Sequence, residues 1–110
     1  MVVGLGYVGL PLAIALARKF SVTGFDVNQA RINELTSGND RTGEISTEEL
    51  VHSSIKFIGD LDEGTPSDVY VIAVPTPIDH ENKPDLSALD SASQEVGQYL
   101  KPGNIVVYES

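Results

Sequence analysis

The chain opens on an apolar run over residues 1–5, which predicts a short buried strand. Residues 7–20 are apolar around much of a helical circumference. Val8, Leu12, Ala15 and Leu16 share one face at helical spacing, with Leu10, Ile14 and Ala17 beside them. So wide an apolar surface predicts a helix laid against a sheet. Pro11 falls near its first turn, where proline is tolerated. Residues 21–26 predict a second strand, and Asn28 can cap the helix after it. Ile32 and Leu35 form the buried side of that helix, and Gly38 ends it. A polar stretch, 39–45, leads to Ser46-Thr47-Glu48-Glu49, a capping-box pattern for a short helix through His52.

Residues 55–58 predict a third strand, and 60–68 a polar connection with room for one helical turn. Residues 69–74 are unbroken apolar, the pattern of a strand covered on both faces. A proline-rich loop, 75–84, follows. Leu86, Leu89, Ala92, Val96 and Leu100 then keep helical spacing, Pro102-Gly103 stops that helix, and 105–108 predict a fifth strand. Strands alternating with helices predict an α/β fold: a Rossmann-type parallel sheet wound on both faces, strand order 3-2-1-4-5.

Composition agrees with one compact domain. Of 110 residues, 41% are apolar and 21% charged, which argues against disorder. No apolar run approaches the roughly 18 residues of a membrane span. No basic segment precedes an apolar stretch at the N-terminus, so no signal peptide is expected. The net charge of −9 counts against binding a nucleic-acid backbone. It leaves room for a small anion, because screening limits long-range repulsion to about 8 Å at physiological salt. The absence of cysteine excludes disulfides, thiolate metal sites and a cysteine nucleophile within these residues, and fits a cytoplasmic setting. The glycine motif begins only three residues in, and the fifth strand runs to the last residues. These ends predict a fragment of a longer chain: one domain, 1–110, without whatever domains follow.

Gly4-Leu5-Gly6-Tyr7-Val8-Gly9 is a G-x-G-x-x-G run between the first strand and the first helix. Alone it is an unspecific pattern. Its context sharpens it, because Asp26 closes the second strand near the spacing of about 20 residues expected for a ribose-binding carboxylate. Gly4 permits the tight turn, Gly6 lets a pyrophosphate approach the backbone, and Gly9 lets the helix lie close to the strand. The helix N-terminus offers unpaired N–H groups to phosphates. Asp26 is expected to accept hydrogen bonds from the adenosine ribose. A 2′-phosphate there would meet a carboxylate at a cost on the order of several kcal/mol. At about 1.4 kcal/mol per tenfold, NAD should be preferred over NADP by roughly a hundredfold or more. Arg31 lies about one turn into the next helix, and its expected place is the adenosine edge.

Val74-Pro75-Thr76-Pro77 follows the fourth strand, at the carboxyl edge where ligands of such sheets bind. On physical grounds it is equally a stiff turn or a binding loop. The motifs Gly4 to Leu12, Gly24-Phe25-Asp26-Val27-Asn28, Val74-Pro75-Thr76-Pro77 and Val106-Val107-Tyr108-Glu109-Ser110 together resemble the N-terminal NAD-binding domain of the UDP-glucose/GDP-mannose dehydrogenase family. The resemblance covers nearly the whole chain. Its Val-Tyr-Glu-Ser ending looks most like the branch acting on UDP-N-acetylglucosamine or UDP-N-acetylgalactosamine.

The resemblance implies oxidation of the C6 alcohol of a nucleotide sugar, through an aldehyde, to a carboxylate, with two NAD reduced. It implies a catalytic cysteine in a later domain, and central and C-terminal domains absent here. It assigns Gly4, Gly6, Tyr7, Val8 and Gly9 to the pyrophosphate loop and Asp26 and Arg31 to the adenosine end. Val74, Pro75 and Thr76 fall to the second cofactor loop, and Glu109 and Ser110 to the strand end near the nicotinamide. No catalytic residue and no metal ligand is expected among these residues. NAD is the expected cofactor, with a UDP-sugar partner and a homodimer or larger assembly for the full-length enzyme.

His52 and His80 are isolated and read as surface residues; Asp60, Asp62 and Glu63 read as solvated charge, residues 79–85 as a surface loop, and the helix from Leu86 as scaffold. Two other functions stay open on the residues alone. One is a different NAD-dependent dehydrogenase, of 6-phosphogluconate or 3-hydroxyacyl-CoA type. The other is a dinucleotide-sensing module without catalysis.

Overall fold

The computed structural model describes residues 1–109. Five strands form one parallel sheet: β1 (Val2–Val3), β2 (Thr23–Phe25), β3 (Lys56–Ile58), β4 (Val69–Ile72) and β5 (Ile105–Tyr108), in the order β3-β2-β1-β4-β5. This is the predicted order. Val2 and Val3 are fixed from both sides, opposite Gly24 and Phe25 on one and Val71 and Ile72 on the other. The carboxyl ends of β1, β2 and β4 are therefore level, and strand order reverses beside β1.

Helices α1 (Gly9–Ala17), α2 (Gln29–Thr36) and α3 (Thr47–His52) cover one face, and α4 (Ser87–Gly97) covers the other. Val2, Leu5, Leu10, Ile14, Ile32, Leu35 and Leu50 pack together on the first side. Val3, Phe25, Ile58, Tyr70, Ile72, Ala92 and Val96 pack together on the second. Alternate residues of the central strand thus anchor separate clusters, as a two-faced sheet requires.

The helix ends follow their signals. The Asn28 side chain accepts from the Arg31 amide at 3.2 Å. Gly38, at φ +86°, closes α2 in a Schellman arrangement: its N–H reaches the Leu35 carbonyl and the Asn39 N–H reaches Glu34. Ser46 caps α3 by accepting from the Glu49 amide. The connection after β3 holds one 3₁₀ turn, Leu61–Glu63.

Three details differ from the expectation. Helix α1 buries Gly9, Leu10, Ala13 and Ile14, while Val8 and Ala15 are exposed. The cause is Gly9, which presses on the backbone of Gly4 and so sets the rotation of the helix. Helix α4 ends at Gly97, ahead of Pro102-Gly103: the Gln98 and Tyr99 amides close a last tight turn on the Glu95 and Val96 carbonyls, and the Tyr99 hydroxyl donates to Asp62. Strand β4 is not covered throughout: Tyr70 and Ile72 are buried, but Val69 is 39% exposed.

Candidate functional site

A cleft of about 610 Å³ opens along the carboxyl edge where strand order reverses. Its floor is the backbone of Gly4, Leu5 and Gly6. Gly4 has φ +99°, and a Cβ there would stand 2.9 Å from the Ala73 carbonyl, so a side chain is excluded by conformation and by space. Gly6 lies in the open, with nothing within 4 Å of where its Cβ would be. Only the cleft side is left free by that bare backbone. Helix α1 starts beside it behind Val8, which makes no side-chain cap. Leu10 donates to the Gly6 carbonyl at 3.1 Å and Pro11 has no N–H, so in the first turn the Gly9 amide is the group left for a ligand.

The Asp26 carboxylate is placed by two amides: Leu5 donates to one oxygen at 3.0 Å and Asn28 to the other at 2.9 Å. It lines the cleft beside Val27 and Asn28. Arg31 also lines the cleft, but it is 6% exposed and built into the wall. Its Nε donates to the Leu5 carbonyl at 2.8 Å, and its Nη1 donates to Glu34 at 3.0 Å and Asp40 at 2.9 Å. Its Nη2 is buried and has no partner in the protein. Leaving a buried charged donor unpaired costs about 1–3 kcal/mol or more, so this atom is suited to a ligand in the cleft. Burial disfavours the Arg31 charge, yet the bonds from Glu34 and Asp40 outweigh it and raise its pKa.

Asp40 organises the predicted polar stretch. Its side chain is fully buried and accepts from Arg31, from the Thr42 hydroxyl and from the Thr42, Glu44 and Ile45 amides, all at 2.7–3.0 Å. Burial alone would raise its pKa. The hydrogen bonds, led by the Thr42 hydroxyl and Arg31, bring it down to about 2. The loop so held sets Arg41 and Thr42 on the cleft wall.

Of the residues assigned from the sequence, Gly4, Gly6, Asp26, Arg31, Val74 and Pro75 line one cleft. Gly9 lies beneath it against Gly4. Tyr7, Val8, Thr76 and Glu109 are exposed and outside the lining. Ser110 lies outside the described residues.

The sequence missed Arg41 and Thr42, whose only signal is the Asp40-x-Thr42 turn pattern. It also treated α4 as scaffold. Ala92 and Val96 are core, but Ser87, Ser91 and Glu95, four residues apart, put a polar edge of the same helix on the cleft. His52 and His80 are exposed, as expected. Asp60 and Asp62 are more than free charge: Asp60 caps the 3₁₀ turn and Asp62 holds Tyr99. Among the described residues, no group of three or more His, Asp or Glu is placed to hold a metal ion. Nor is any helix among them long and apolar enough to cross a membrane.

Comparison with known proteins gives this cleft a lineage. The chain is 49% identical over 110 residues to the UDP-N-acetyl-D-glucosamine 6-dehydrogenase of Pseudomonas aeruginosa. It is 49% identical over 109 residues to protein CapL of Staphylococcus aureus. Each match covers 99% of this chain but 26% of the relative, so the chain spans about a quarter of the length of these curated relatives. Among solved structures, the UDP-D-ManNAc dehydrogenase of Pyrococcus horikoshii superposes with a TM-score of 0.87 at 33% identity, covering 100% of this chain and 28% of that one. The model of the UDP-glucose/GDP-mannose dehydrogenase family NAD binding domain matches residues 1–110. With the fold, the glycine floor and Asp26 all in place, the chain belongs to the UDP-glucose/GDP-mannose dehydrogenase family and represents its NAD binding domain.

Proposed function

We propose that the cleft binds NAD and that the full-length protein carrying this chain oxidises the C6 alcohol of a UDP-N-acetylhexosamine to the uronate, supplying precursors for polysaccharide. One observation carries the cofactor site: a side-chain-free backbone floor and the Asp26 carboxylate share a single cleft. Gly4, Gly6 and the start of α1, with the Tyr7, Val8 and Gly9 amides, take the pyrophosphate. Asp26 accepts from the adenosine ribose, and the unpartnered Arg31 Nη2 donates at that end. Val74, Pro75 and Thr76 border the cofactor on the β4 side, and Glu109 and Ser110 lie toward the nicotinamide.

Conversion of an alcohol to a carboxylate removes four electrons, which two NAD bound in turn at the cleft would accept as two hydrides. The residues described here bind and orient; a covalent step through cysteine has no candidate among them, since the chain contains none. These 110 residues alone are therefore inactive toward sugar. The choice of an N-acetylhexosamine is supported by the names of the relatives at 49% and 46% identity, both UDP-N-acetyl-D-glucosamine 6-dehydrogenases. A cytoplasmic homodimer or larger assembly completes the proposal.

The test is turnover by the full-length protein with NAD and a panel of UDP-glucose, UDP-N-acetylglucosamine, UDP-N-acetylgalactosamine and GDP-mannose. Two NADH per UDP-N-acetylhexosamine consumed is the expected result. One NADH per sugar, or no turnover with any of the panel, refutes it.

A further inference from the structure

Two arginines, Arg31 and Arg41, line the cleft on the same side as Asp26. Guanidinium groups are the usual partners of phosphate, and a phosphate on the adenosine 2′-hydroxyl is what distinguishes NADP from NAD. Arg31 Nη1 and Arg41 Nε are engaged elsewhere. Glu34 accepts from Arg31 Nη1 at 3.0 Å and from Arg41 Nε at 2.9 and 3.2 Å, so one carboxylate bridges the two cations. Asp40 takes Arg31 Nη1 from the other side at 2.9 Å. The Glu34 side chain is only 17% exposed, whereas that of Arg41 is 63% exposed and free to move if released. Two guanidiniums are thus paired with two carboxylates, Glu34 and Asp40, while Asp26 lines the same cleft.

We propose that Glu34, by bridging Arg31 and Arg41, is a specificity-determining residue that withholds the Arg41 guanidinium and Arg31 Nη1 from the 2′-phosphate of NADP and so acts with Asp26 to select NAD. The inference rests on the cleft being the dinucleotide site. Asp26 repels a 2′-phosphate directly. Glu34 removes the compensation that two nearby cations would otherwise offer. With Glu34 neutral, Arg41 turns toward the cleft and meets the added phosphate. With Arg41 neutral, Glu34 keeps a charge no longer matched by its exposed partner, and the phosphate is disfavoured further.

The experiment is titration of NADH and NADPH into the full-length protein, comparing wild type with Glu34→Gln and Arg41→Gln. Glu34→Gln is expected to shift the ratio of the two dissociation constants toward NADPH by about tenfold, equivalent to about 1.4 kcal/mol. Arg41→Gln is expected to shift it the opposite way. A purely structural ion pair would weaken both ligands by one factor and leave the ratio at its wild-type value. That result in both variants overturns the inference while the NAD site stands. If Glu34→Gln does not fold, the direction of the Arg41→Gln shift decides. If wild type binds no NADH, the reading of the cleft fails and the inference falls with it.

Discussion

The Leu5 amide donates to the Asp26 carboxylate at 3.0 Å, across 21 residues of sequence. The carbonyl of the same residue accepts from Arg31 Nε at 2.8 Å. The middle of the glycine loop is therefore gripped on both its polar groups by the two side chains assigned to the adenosine end. The acidic residue proposed to accept from the ribose thus also shapes the floor proposed to take the pyrophosphate.

Asp26→Ala consequently removes the proposed ribose acceptor and loosens the loop. The expected outcome is weaker NADH binding by roughly tenfold or more, as for loss of a charge-assisted hydrogen bond, together with a smaller preference over NADPH. Asp26→Asn keeps acceptor oxygen for a backbone amide, so it should narrow the preference with less loss of NADH affinity. Parallel NADH and NADPH titrations check both. Equal binding of the two cofactors by wild type would contradict the role given to Asp26.

Gly6 and Gly9 separate ligand space from packing space. A methyl at Gly9 would run into the Gly4 carbonyl, which is backbone and cannot step aside. Gly9→Ala should destabilise by about 1–3 kcal/mol, toward the upper end. A methyl at Gly6 meets nothing within 4 Å, so Gly6→Ala should stay within about 0.5 kcal/mol of wild type in stability. It should nonetheless weaken NADH binding, because its methyl would project where the pyrophosphate is proposed to lie. Thermal unfolding beside NADH titration distinguishes the two. A Gly6→Ala protein with wild-type affinity would move the pyrophosphate elsewhere.

The Asn28 cap gives a smaller effect. Its side chain accepts from the Arg31 amide at the start of α2. Asn28→Ala should cost about 1 kcal/mol, read as a lowered unfolding midpoint. An unchanged midpoint would mean that Asp26, which accepts from the Asn28 amide, is sufficient to start the helix.

Strand order, the glycine floor and Asp26 were legible in the sequence because each leaves a local mark. Apolar runs alternate with helical spacing, and glycine and aspartate recur at a separation fixed by one βαβ unit. The orientation of α1 was not legible. Nearly every residue from Val8 to Ala17 is apolar, so no contrast between faces marks the buried one. The Gly9–Gly4 contact decides it, and that is a tertiary fact. The burial of Arg31 was hidden for a related reason. Its partners Leu5, Glu34 and Asp40 are brought together by the crossover and by a loop whose polar composition suggested only solvent. In α4, serine and glutamate four residues apart do mark a second, polar edge, but polar residues at that spacing are equally the ordinary solvent face of a helix.

Asp40 makes the wall sensitive to acid. Its carboxyl titrates near 3.8 when unfolded and near 2 in the fold. A folded pKa below the unfolded one means stability that is fully present above about pH 4 and is lost as pH falls toward 2, on the order of 2 kcal/mol in all. The loss should appear first where the carboxylate is used, at the Thr42, Glu44 and Ile45 amides that donate to it. Hydrogen exchange at those amides should therefore lose protection between about pH 4 and pH 2 in wild type. Asp40→Asn, uncharged at every pH, should begin less protected and show no such step, so that the two proteins converge at the acid end. A constant difference between them across the window would mean that Asp40 holds the loop by shape rather than by charge, and the wall carrying Arg41 and Thr42 would then be indifferent to acid.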